Sequence, residues 1–246
     1  MSTATVRTGG NAVARAVFVG LPPRYDRLAR LLSLGQDRRW RRLVVDHVAA
    51  AAPRLVLDVA TGPAGVALAI ADATPATVVG VDLNLPMLRQ GVANVRADGR
   101  GGQVQLLAAR AEQLPFAAET FDAVSFSYLL RYVDDPAATV AEMAGVLRPG
   151  GTLSGLEFYL PPHPVWRFAW RVYTAAVLPV LGLLTGGRAW WRVGRFLGPS
   201  IRGHYARMPL AEHVAAWERA GMVDVGFRVM SLGGGLVMWG TKGGSS

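Results

Sequence analysis

The 246-residue sequence predicts an α/β fold, with a mostly parallel sheet and helices on both of its faces. Between residues 55 and 158, short apolar runs typical of buried strands alternate with segments of helical periodicity. The first run ends at Asp58 and enters a small-residue turn with Gly62 and Gly65, and the second run ends at Asp82. This order of strand, glycine turn, helix, strand and acid is typical of a site for an adenosine-containing cofactor, whose ribose the acid binds.

The chain before the first strand is expected to form a helical cap. We interpret residues 1–20 as a flexible lead-in and residues 21–246 as a single domain. Within residues 21–52, apolar side chains recur at helical spacing on either side of Gly35. This spacing predicts two helices joined by a turn.

The sheet and its crossover helices follow in alternation. The predicted strands are 55–59, 78–81, 104–107, 121–127 and 151–158, and the predicted helices between them are 64–71, 86–97 and 136–147. The run 148–151, Arg-Pro-Gly-Gly, is expected to close the last helix, because proline cannot continue a helix and glycine accepts a positive φ. Parallel strands joined in this way require right-handed crossovers.

The C-terminal part of the chain predicts a helix and a hairpin. The helix covers residues 209–220 and is capped by Gly221. Two strand candidates, 223–230 and 236–241, flank a glycine-rich spacer. They are predicted to pair as an antiparallel hairpin that ends the sheet.

Residues 161–205 depart from this alternation. They hold several arginines and four tryptophans, at positions 166, 170, 190 and 191. Two interpretations stay open: an ordinary insertion packed on the sheet edge, or an interfacial lid that places Trp and Arg at the headgroup level of a membrane. The apolar stretch 172–184 has 13 residues, fewer than the roughly 20 that span a bilayer, so no transmembrane helix is predicted.

The amino-acid composition limits the classes of partner and of site that we expect. The net charge of +9 rests almost entirely on arginine, because Lys242 is the only lysine. We interpret this bias as an effect of genome composition and expect no nucleic-acid partner, although basic clusters at 38–42 and 188–207 would suit an anionic membrane surface. The absence of cysteine excludes disulfides and thiolate chemistry, and four scattered histidines predict no metal site. Without a convincing secretion signal, we expect a cytoplasmic protein.

Motifs of one family recur along the chain. They are Arg24-Tyr25-Asp26, 32–35 (Leu-Ser-Leu-Gly), 39–41 (Arg-Trp-Arg), 57–62 (Leu-Asp-Val-Ala-Thr-Gly), 111–116 (Ala-Glu-Gln-Leu-Pro-Phe), 121–123 (Phe-Asp-Ala), Leu130-Arg131, 146–151 (Val-Leu-Arg-Pro-Gly-Gly), 156–158 (Leu-Glu-Phe) and 196–201 (Phe-Leu-Gly-Pro-Ser-Ile). From about residue 18 to 242 the chain resembles the ubiquinone/menaquinone biosynthesis C-methyltransferases, a family of class I S-adenosylmethionine-dependent methyltransferases. The resemblance implies a Rossmann-like sheet of seven strands with the last strand antiparallel.

The resemblance also implies a binding site for S-adenosylmethionine. By position, Gly62 would approach the methionine portion, Asp82 would accept the ribose hydroxyls, and the backbone at Arg110-Ala111 would flank the adenine. The expected cofactor-binding residues are Asp58, Gly62, Pro63, Gly65, Asp82, Leu83, Arg110, Ala111 and Ser127. Asp58 has a second interpretation, as a strand-end residue that only caps the turn.

Three positions depart from the family pattern. Pro63 has no N–H to donate, and Ala64 carries a methyl group where the family has glycine. Arg110 stands where the family commonly has Asp or Asn, and it has no acceptor for the adenine amino group. These departures imply a weaker affinity for the cofactor or a rearranged pocket.

The family transfers a methyl group to a ring carbon of a polyprenylated quinol, next to a hydroxyl group. A cation and a base assist this reaction by stabilising and forming the phenolate. By position, Arg131 is the cation candidate, with a salt bridge to Asp134 or Asp135 as the alternative. The base candidates are Tyr25, Glu157, His163 and His204, among which the sequence does not choose.

Three functional hypotheses follow. The first is C-methylation of a lipophilic quinol such as demethylmenaquinol, with the prenyl tail received by the apolar insertion 161–205. The second keeps the fold and the cofactor and changes the acceptor to another lipid or a secondary metabolite. The third is a catalytically degenerate partner subunit at the membrane, which the departures at Pro63, Ala64 and Arg110 favour.

Overall fold

The computed structural model describes residue 33 and residues 35–244. The strands are β1 (Leu55–Val59), β2 (Thr77–Asp82), β3 (Val104–Ala108), β4 (Phe121–Ser127), β5 (Leu147–Phe158), β6 (Met222–Met230) and β7 (Gly235–Lys242). The α-helices are α1 (Gln36–Ala50), α2 (Gly65–Ala73), α3 (Leu85–Ala97), α4 (Pro136–Gly145), α5 (Pro164–Val172), α6 (Leu178–Arg207) and α7 (Leu210–Arg219). The predicted lead-in and the first half of the predicted cap lie outside the described residues.

All seven strands form one sheet, in the order β3-β2-β1-β4-β5-β7-β6. The pairs among β1 to β5 are parallel, and β7 lies antiparallel between β5 and β6. The prediction of a mostly parallel, seven-stranded sheet with an antiparallel last strand is therefore confirmed, and so is the C-terminal hairpin.

Alternating side chains of the central strands feed two hydrophobic cores, one on each face of the sheet. Leu57 and Val59 belong to the core that α4 and α7 cover, whereas Val56 belongs to the core under α1 and α2. All three side chains are fully buried. Burial on both faces explains why these strands read as continuous apolar runs.

The predicted boundary between the helix at 136–147 and the strand at 151–158 was wrong. The helix expected at 136–147 ends at Gly145, and the Arg-Pro-Gly-Gly run lies inside β5. There Gly150 has a φ of 78°, and the register between β4 and β5 shifts at Phe121/Ala123. The glycine thus serves an irregular strand start, which the same residue types signal as well as a helix end.

Helix α1 confirms the helical character of the second half of the cap. Trp40 is 4% exposed and packs with Val44, Leu156 and Val237. Its indole nitrogen donates a hydrogen bond to the Ser231 hydroxyl, at 2.9 Å. The helix is therefore fastened to the hairpin side of the sheet and lies beside the strand ends that form the site described below.

The insertion is helical almost throughout. Helix α5 continues through a π-helical turn, Tyr173–Val177, into α6, which breaks at Gly187, where φ is 72°. Trp190 returns against Leu178 and is 6% exposed. The idea of four tryptophans at headgroup level was therefore wrong for Trp190, because it forms the small core of the insertion itself.

The helical run 164–207 is longer than the apolar stretch 172–184, from which no transmembrane helix was predicted. It is 44 residues long, and by length and composition it includes a stretch apolar enough to cross a membrane, with 22% of that stretch buried. The apolar run of 13 residues considered alone underestimated this segment. Core helices of soluble proteins meet the same criterion, so the criterion alone assigns no membrane span.

Gly155 in β5 provides a test of the sheet packing. A Cβ atom at this position would overlap the ring of Phe126, which is 2% exposed. We expect Gly155→Ala to lower the free energy of unfolding by about 1–3 kcal/mol, because the buried ring has no room to move. Urea denaturation measures this change.

Gly145→Ala is the matched control at the end of α4, because nothing lies within 4 Å of the position that its methyl group would take. It should leave stability unchanged or raise it slightly. Equal stabilities of the two variants would contradict the packing argument.

Candidate functional site

A cavity opens at the carboxyl ends of β1, β2 and β4. Its volume is about 1030 Å³, including the solvent-open mouth. This is the position at which doubly wound sheets bind their ligands. The lining residues are Arg41, Asp58, Val59, Ala60, Thr61, Gly62, Pro63, Val66, Val81, Asp82, Leu83, Asn84, Met87, Ala109, Ala111, Glu112, Ser127, Tyr128, Leu129 and Tyr132.

Asp82 organises the floor of this cavity. One carboxylate oxygen accepts a hydrogen bond from the Gly62 N–H at 2.8 Å, and the other accepts one from the Asn84 N–H at 2.7 Å. Burial raises the pKa of Asp82, and these hydrogen bonds oppose that rise. Each carboxylate oxygen keeps a second acceptor position, so Asp82 can also receive two hydroxyl groups of a ligand.

Gly62 presents bare backbone to the cavity. Its φ is 55°, a conformation that glycine adopts without strain, and no atom of the described residues lies within 4 Å of the position that a Cβ would take. The space before this residue is therefore open for a ligand to approach the main chain.

Asp58 and Ser127 contribute polar atoms that lack partners. Asp58 is 1% exposed, and one of its oxygens accepts a hydrogen bond from the Ser125 hydroxyl at 2.7 Å. Burial raises its pKa to about 6, and the nearby hydroxyl groups of Thr61 and Ser125 oppose that rise. Among the described residues, Asp58 Oδ2 and Ser127 Oγ are buried without a hydrogen-bond partner. Such atoms in a cavity wall are available to a ligand.

The departures in the glycine turn do not close the cavity. Ala64 is fully buried in the core under α2 and is absent from the cavity lining, so its methyl group leaves the site free. Its φ of 67° shows that alanine here keeps the backbone conformation that glycine would adopt. Pro63 lines the cavity and its carbonyl accepts a hydrogen bond from the Asn94 side chain. Gly65 begins α2 and lies outside the lining.

Arg110 also lies outside the cavity lining. It is exposed, and its Nε atom is 3.8 Å from Glu112 Oε2. Ala111 and Glu112 do line the cavity, as does Leu83. Arg110, which departs from the family pattern, therefore does not form this wall. Its neighbours do, and the Glu112 carboxylate supplies acceptor atoms there.

Arg41 and Tyr128 are cavity residues that we did not predict. Arg41 forms an ion pair with Asp37 at 2.9 Å, and the Tyr128 hydroxyl donates to the same carboxylate at 2.6 Å. Tyr128 has a φ of 57°, which is unusual for a residue other than glycine. The i, i+4 spacing of Asp37 and Arg41 was the available signal, although it does not reveal that α1 packs beside the site.

Arg131, the predicted cation with a salt bridge to Asp134 or Asp135 as the alternative, pairs with Glu157. Arg131 Nε and Glu157 Oε2 are 3.5 Å apart, and both side chains are buried. Glu157 also accepts a hydrogen bond from the Leu130 N–H at 2.7 Å. Burial raises the pKa of Glu157, which the positive charge of Arg131 opposes. The two predicted catalytic residues are thus brought together, one layer behind the cavity wall.

The guanidinium of Arg131 lies between two aromatic rings. It is 4.8 Å from the centroid of Tyr132 and 5.3 Å from that of Phe158. Tyr132 lines the cavity. Among the described residues, Arg131 Nη1 is buried without a hydrogen-bond partner, so one donor of this cation stays available.

The other base candidates are not brought to the cavity. His204 is 3% exposed and its Nε2 lies 3.0 Å from Nε2 of His213. His163 is exposed at the start of α5, and Tyr25 lies outside the described residues. In the part of the chain that the structure describes, Glu157 is the base candidate nearest to Arg131.

The His204–His213 pair predicts an acid-dependent loss of stability. Burial, together with the proximity of His213 and Arg131, lowers the pKa of His204 to about 3, and burial lowers the pKa of His213 to about 4. In the unfolded chain both titrate at about 6.5, so below that pH the unfolded state binds more protons than the folded state. The free energy of unfolding therefore falls by about 2 kcal/mol for each histidine between pH 7 and pH 5.

Urea denaturation at pH 7, 6 and 5 measures this loss against the double variant His204→Gln/His213→Gln. The native chain should lose about 4 kcal/mol more than the variant over this range, because the other titrating groups are common to both. Exposed His163→Gln is the matched control and should follow the native chain. Parallel curves for the native chain and the double variant would contradict the prediction.

Comparison with known proteins extends over nearly the whole chain. The ubiE/COQ5 methyltransferase family matches residues 7–242. The chain is 42% identical over 226 residues to the ubiquinone/menaquinone biosynthesis C-methyltransferase UbiE of Syntrophotalea carbinolica, covering 91% of this chain and 90% of that protein. It is 38% identical over 218 residues to the demethylmenaquinone methyltransferase of Thermus thermophilus, covering 88% and 96%.

Solved structures agree on the fold. The YcgJ protein of Bacillus subtilis is similar with a TM-score of 0.53 and 17% identity, covering 85% of this chain and all of that one. A phosphoethanolamine N-methyltransferase of Haemonchus contortus, in complex with S-adenosylhomocysteine, gives a TM-score of 0.59 and 13% identity, covering 82% and 53%. At these identities the likeness concerns the fold alone. On the family match and the curated relatives, the chain belongs to the ubiE/COQ5 methyltransferase family, and it is a methyltransferase.

Proposed function

We propose that this methyltransferase binds S-adenosylmethionine in the cavity and transfers its methyl group to a ring carbon of a lipophilic quinol such as demethylmenaquinol. The observation that carries the proposal is the Asp82–Gly62 arrangement at the strand ends, where a carboxylate and bare backbone face one open cavity. The names of the relatives in Syntrophotalea and Thermus support the class of acceptor.

The chemistry of the lining residues fits this cofactor. Asp82 would accept the ribose hydroxyls, the buried oxygens of Asp58 and Ser127 would face the amino-acid portion, and Glu112 with the Ala111 backbone would border the adenine. When bound, the cofactor supplies an electrophilic methyl group. Neither Pro63 nor Ala64 fills the cavity, which argues against a degenerate subunit.

Arg131 is suited to stabilise the acceptor as a phenolate. Its charge is held behind Tyr132, which lines the cavity, and acts on an acceptor oxygen across that ring without direct contact. In a buried site this attraction is stronger than in water. Glu157 would hold the guanidinium in place through its hydrogen bond with Nε, so that the positive charge keeps a fixed position behind the cavity wall.

The solubilities of the two proposed substrates suggest where the chain acts. S-adenosylmethionine is a water-soluble cofactor, whereas a polyprenylated quinol is held in a membrane. We therefore place the chain in the cytoplasm, in contact with the membrane surface. If the acceptor is another lipid or a secondary metabolite, the cofactor and its site stay the same and only the second substrate differs.

Calorimetric titration tests cofactor binding. The native chain should bind S-adenosylmethionine and S-adenosylhomocysteine, and Asp82→Ala should weaken both by at least about tenfold, because two charge-assisted hydrogen bonds to the ribose are lost. Arg110→Ala is the control and should change the affinity by less than about twofold, since Arg110 lies outside the cavity. No heat of binding for the native chain would refute the proposal.

Steady-state kinetics with demethylmenaquinol test the acceptor and the role of Arg131. Arg131→Lys should lower kcat by about 100-fold, because lysine keeps the charge and loses the planar hydrogen-bonding geometry. The affinity for S-adenosylhomocysteine should stay unchanged and serves as the folding control. Methyl transfer to a lipid other than the quinol, with a flat trace for demethylmenaquinol, would assign the acceptor to the second hypothesis.

A further inference from the structure

Helix α5 is a helix without a buried side chain. Every residue from 162 to 169 is exposed, and α5 contains no buried residue. Three apolar side chains form a stripe at spacings of three and four: Val165 (61% exposed), Phe168 (69%) and Val172 (45%). Trp166 is 45% exposed beside them. Short helices in proteins are stabilised mainly by packing of an apolar face, and none of the residues that the structure describes buries this stripe.

Three arginines border the same helix. Arg167, Arg171 and Arg202 line a second cavity together with Leu160, Trp170, Tyr205 and Ala206. The Arg167 guanidinium is fixed by hydrogen bonds to the carbonyl oxygens of Pro161 and Pro162, at 2.9 and 3.0 Å. Tyr205 is 8% exposed, and among the described residues its hydroxyl has no hydrogen-bond partner. One fixed guanidinium group, two further arginines and the Tyr205 hydroxyl suit a phosphate group.

The chain segment that contains α5 and these arginines carries no negatively charged side chain. Between Glu157 and Glu212 the sequence has seven arginines and no Asp or Glu. A second copy of the chain would bring two such surfaces together and repel. An anionic phospholipid surface matches both properties, because it offers phosphate groups to the arginines and an acyl boundary to the apolar stripe.

We propose that α5 docks on an anionic phospholipid bilayer. Phe168, Trp166 and the two valines enter the boundary between headgroups and acyl chains, and the cavity of Arg167, Arg171 and Arg202 holds a lipid phosphate. This membrane-binding site is separate from the methyl-transfer cavity, and its inference deepens the proposed function, which rests on a membrane-held acceptor.

Flotation of the full-length protein with vesicles tests the proposal without cofactor or acceptor. Binding should be strong to phosphatidylcholine vesicles that contain phosphatidylglycerol, weak to phosphatidylcholine alone, and reduced by salt. Phe168→Asp should weaken binding by at least about tenfold, because an apolar contact is replaced by a repelled charge. The double variant Arg171→Ala/Arg202→Ala should weaken it by about fivefold for each arginine.

Matched controls separate this site from general surface effects. Phe227→Asp makes the same change at an exposed phenylalanine of β6, and Arg89→Ala/Arg96→Ala removes two exposed arginines of α3. Both controls should bind vesicles like the native chain. Brominated acyl chains should quench tryptophan fluorescence in the native chain, and the quenching should fall in Trp166→Phe.

Several results would overturn the proposal. The first is that the native chain does not float with anionic vesicles. The second is that it binds neutral and anionic vesicles equally. The third is that Phe168→Asp and Phe227→Asp lose vesicle binding to the same extent. Sedimentation velocity adds a further one: a dimer that Phe168→Asp dissociates, with vesicle binding unchanged, would assign the stripe to self-association. Cofactor titration of the same samples is independent, so failure of the membrane site leaves the methyltransferase proposal intact.

Discussion

The two hydrogen bonds to the Asp82 carboxylate are the constraint on which the site depends. They tie the turn after β1 to the turn after β2, since Gly62 and Asn84 donate to the two oxygens of one side chain. The carboxylate thereby fixes the distance between two neighbouring strand ends and the start of α3. The backbone that faces the cavity is held in place by a group that itself belongs to the cavity wall, so structure and ligand recognition share one residue.

Much of the fold could be predicted because burial on two faces leaves a clear pattern. The strand from 55 to 59 was predicted with the bounds that the structure has, and β4 likewise. The start of β5 could not be predicted, because proline and glycine mark an irregular strand as well as they mark a helix end. The single helical run of the insertion was hidden by Pro179 and by two adjacent glycines, which α6 accommodates at its first turn and at its break.

The residues of the site also divide into those that could be predicted from the sequence and those that could not. Gly62, Asp82 and Ser127 could be predicted because their positions follow from strand ends. The pairing of Arg131 with Glu157 joins the loop after β4 to the end of β5, and Arg41 reaches the cavity from α1. Such contacts between distant segments depend on packing angles and leave no local signal. Ala64 shows the opposite case, in which a sequence departure proves harmless because its methyl group faces the core.

The absence of acids between Glu157 and Glu212 has a consequence for how the molecule moves. Seven of the basic residues lie in that segment, leaving nineteen basic and seventeen acidic residues in the rest of the chain. Most of the net charge of +9 is therefore carried by one segment of the protein. In the field of a negatively charged surface such a body experiences a torque, and it turns its basic part toward the surface during approach. Rotational alignment would then precede contact, and the first productive collision would need little further search.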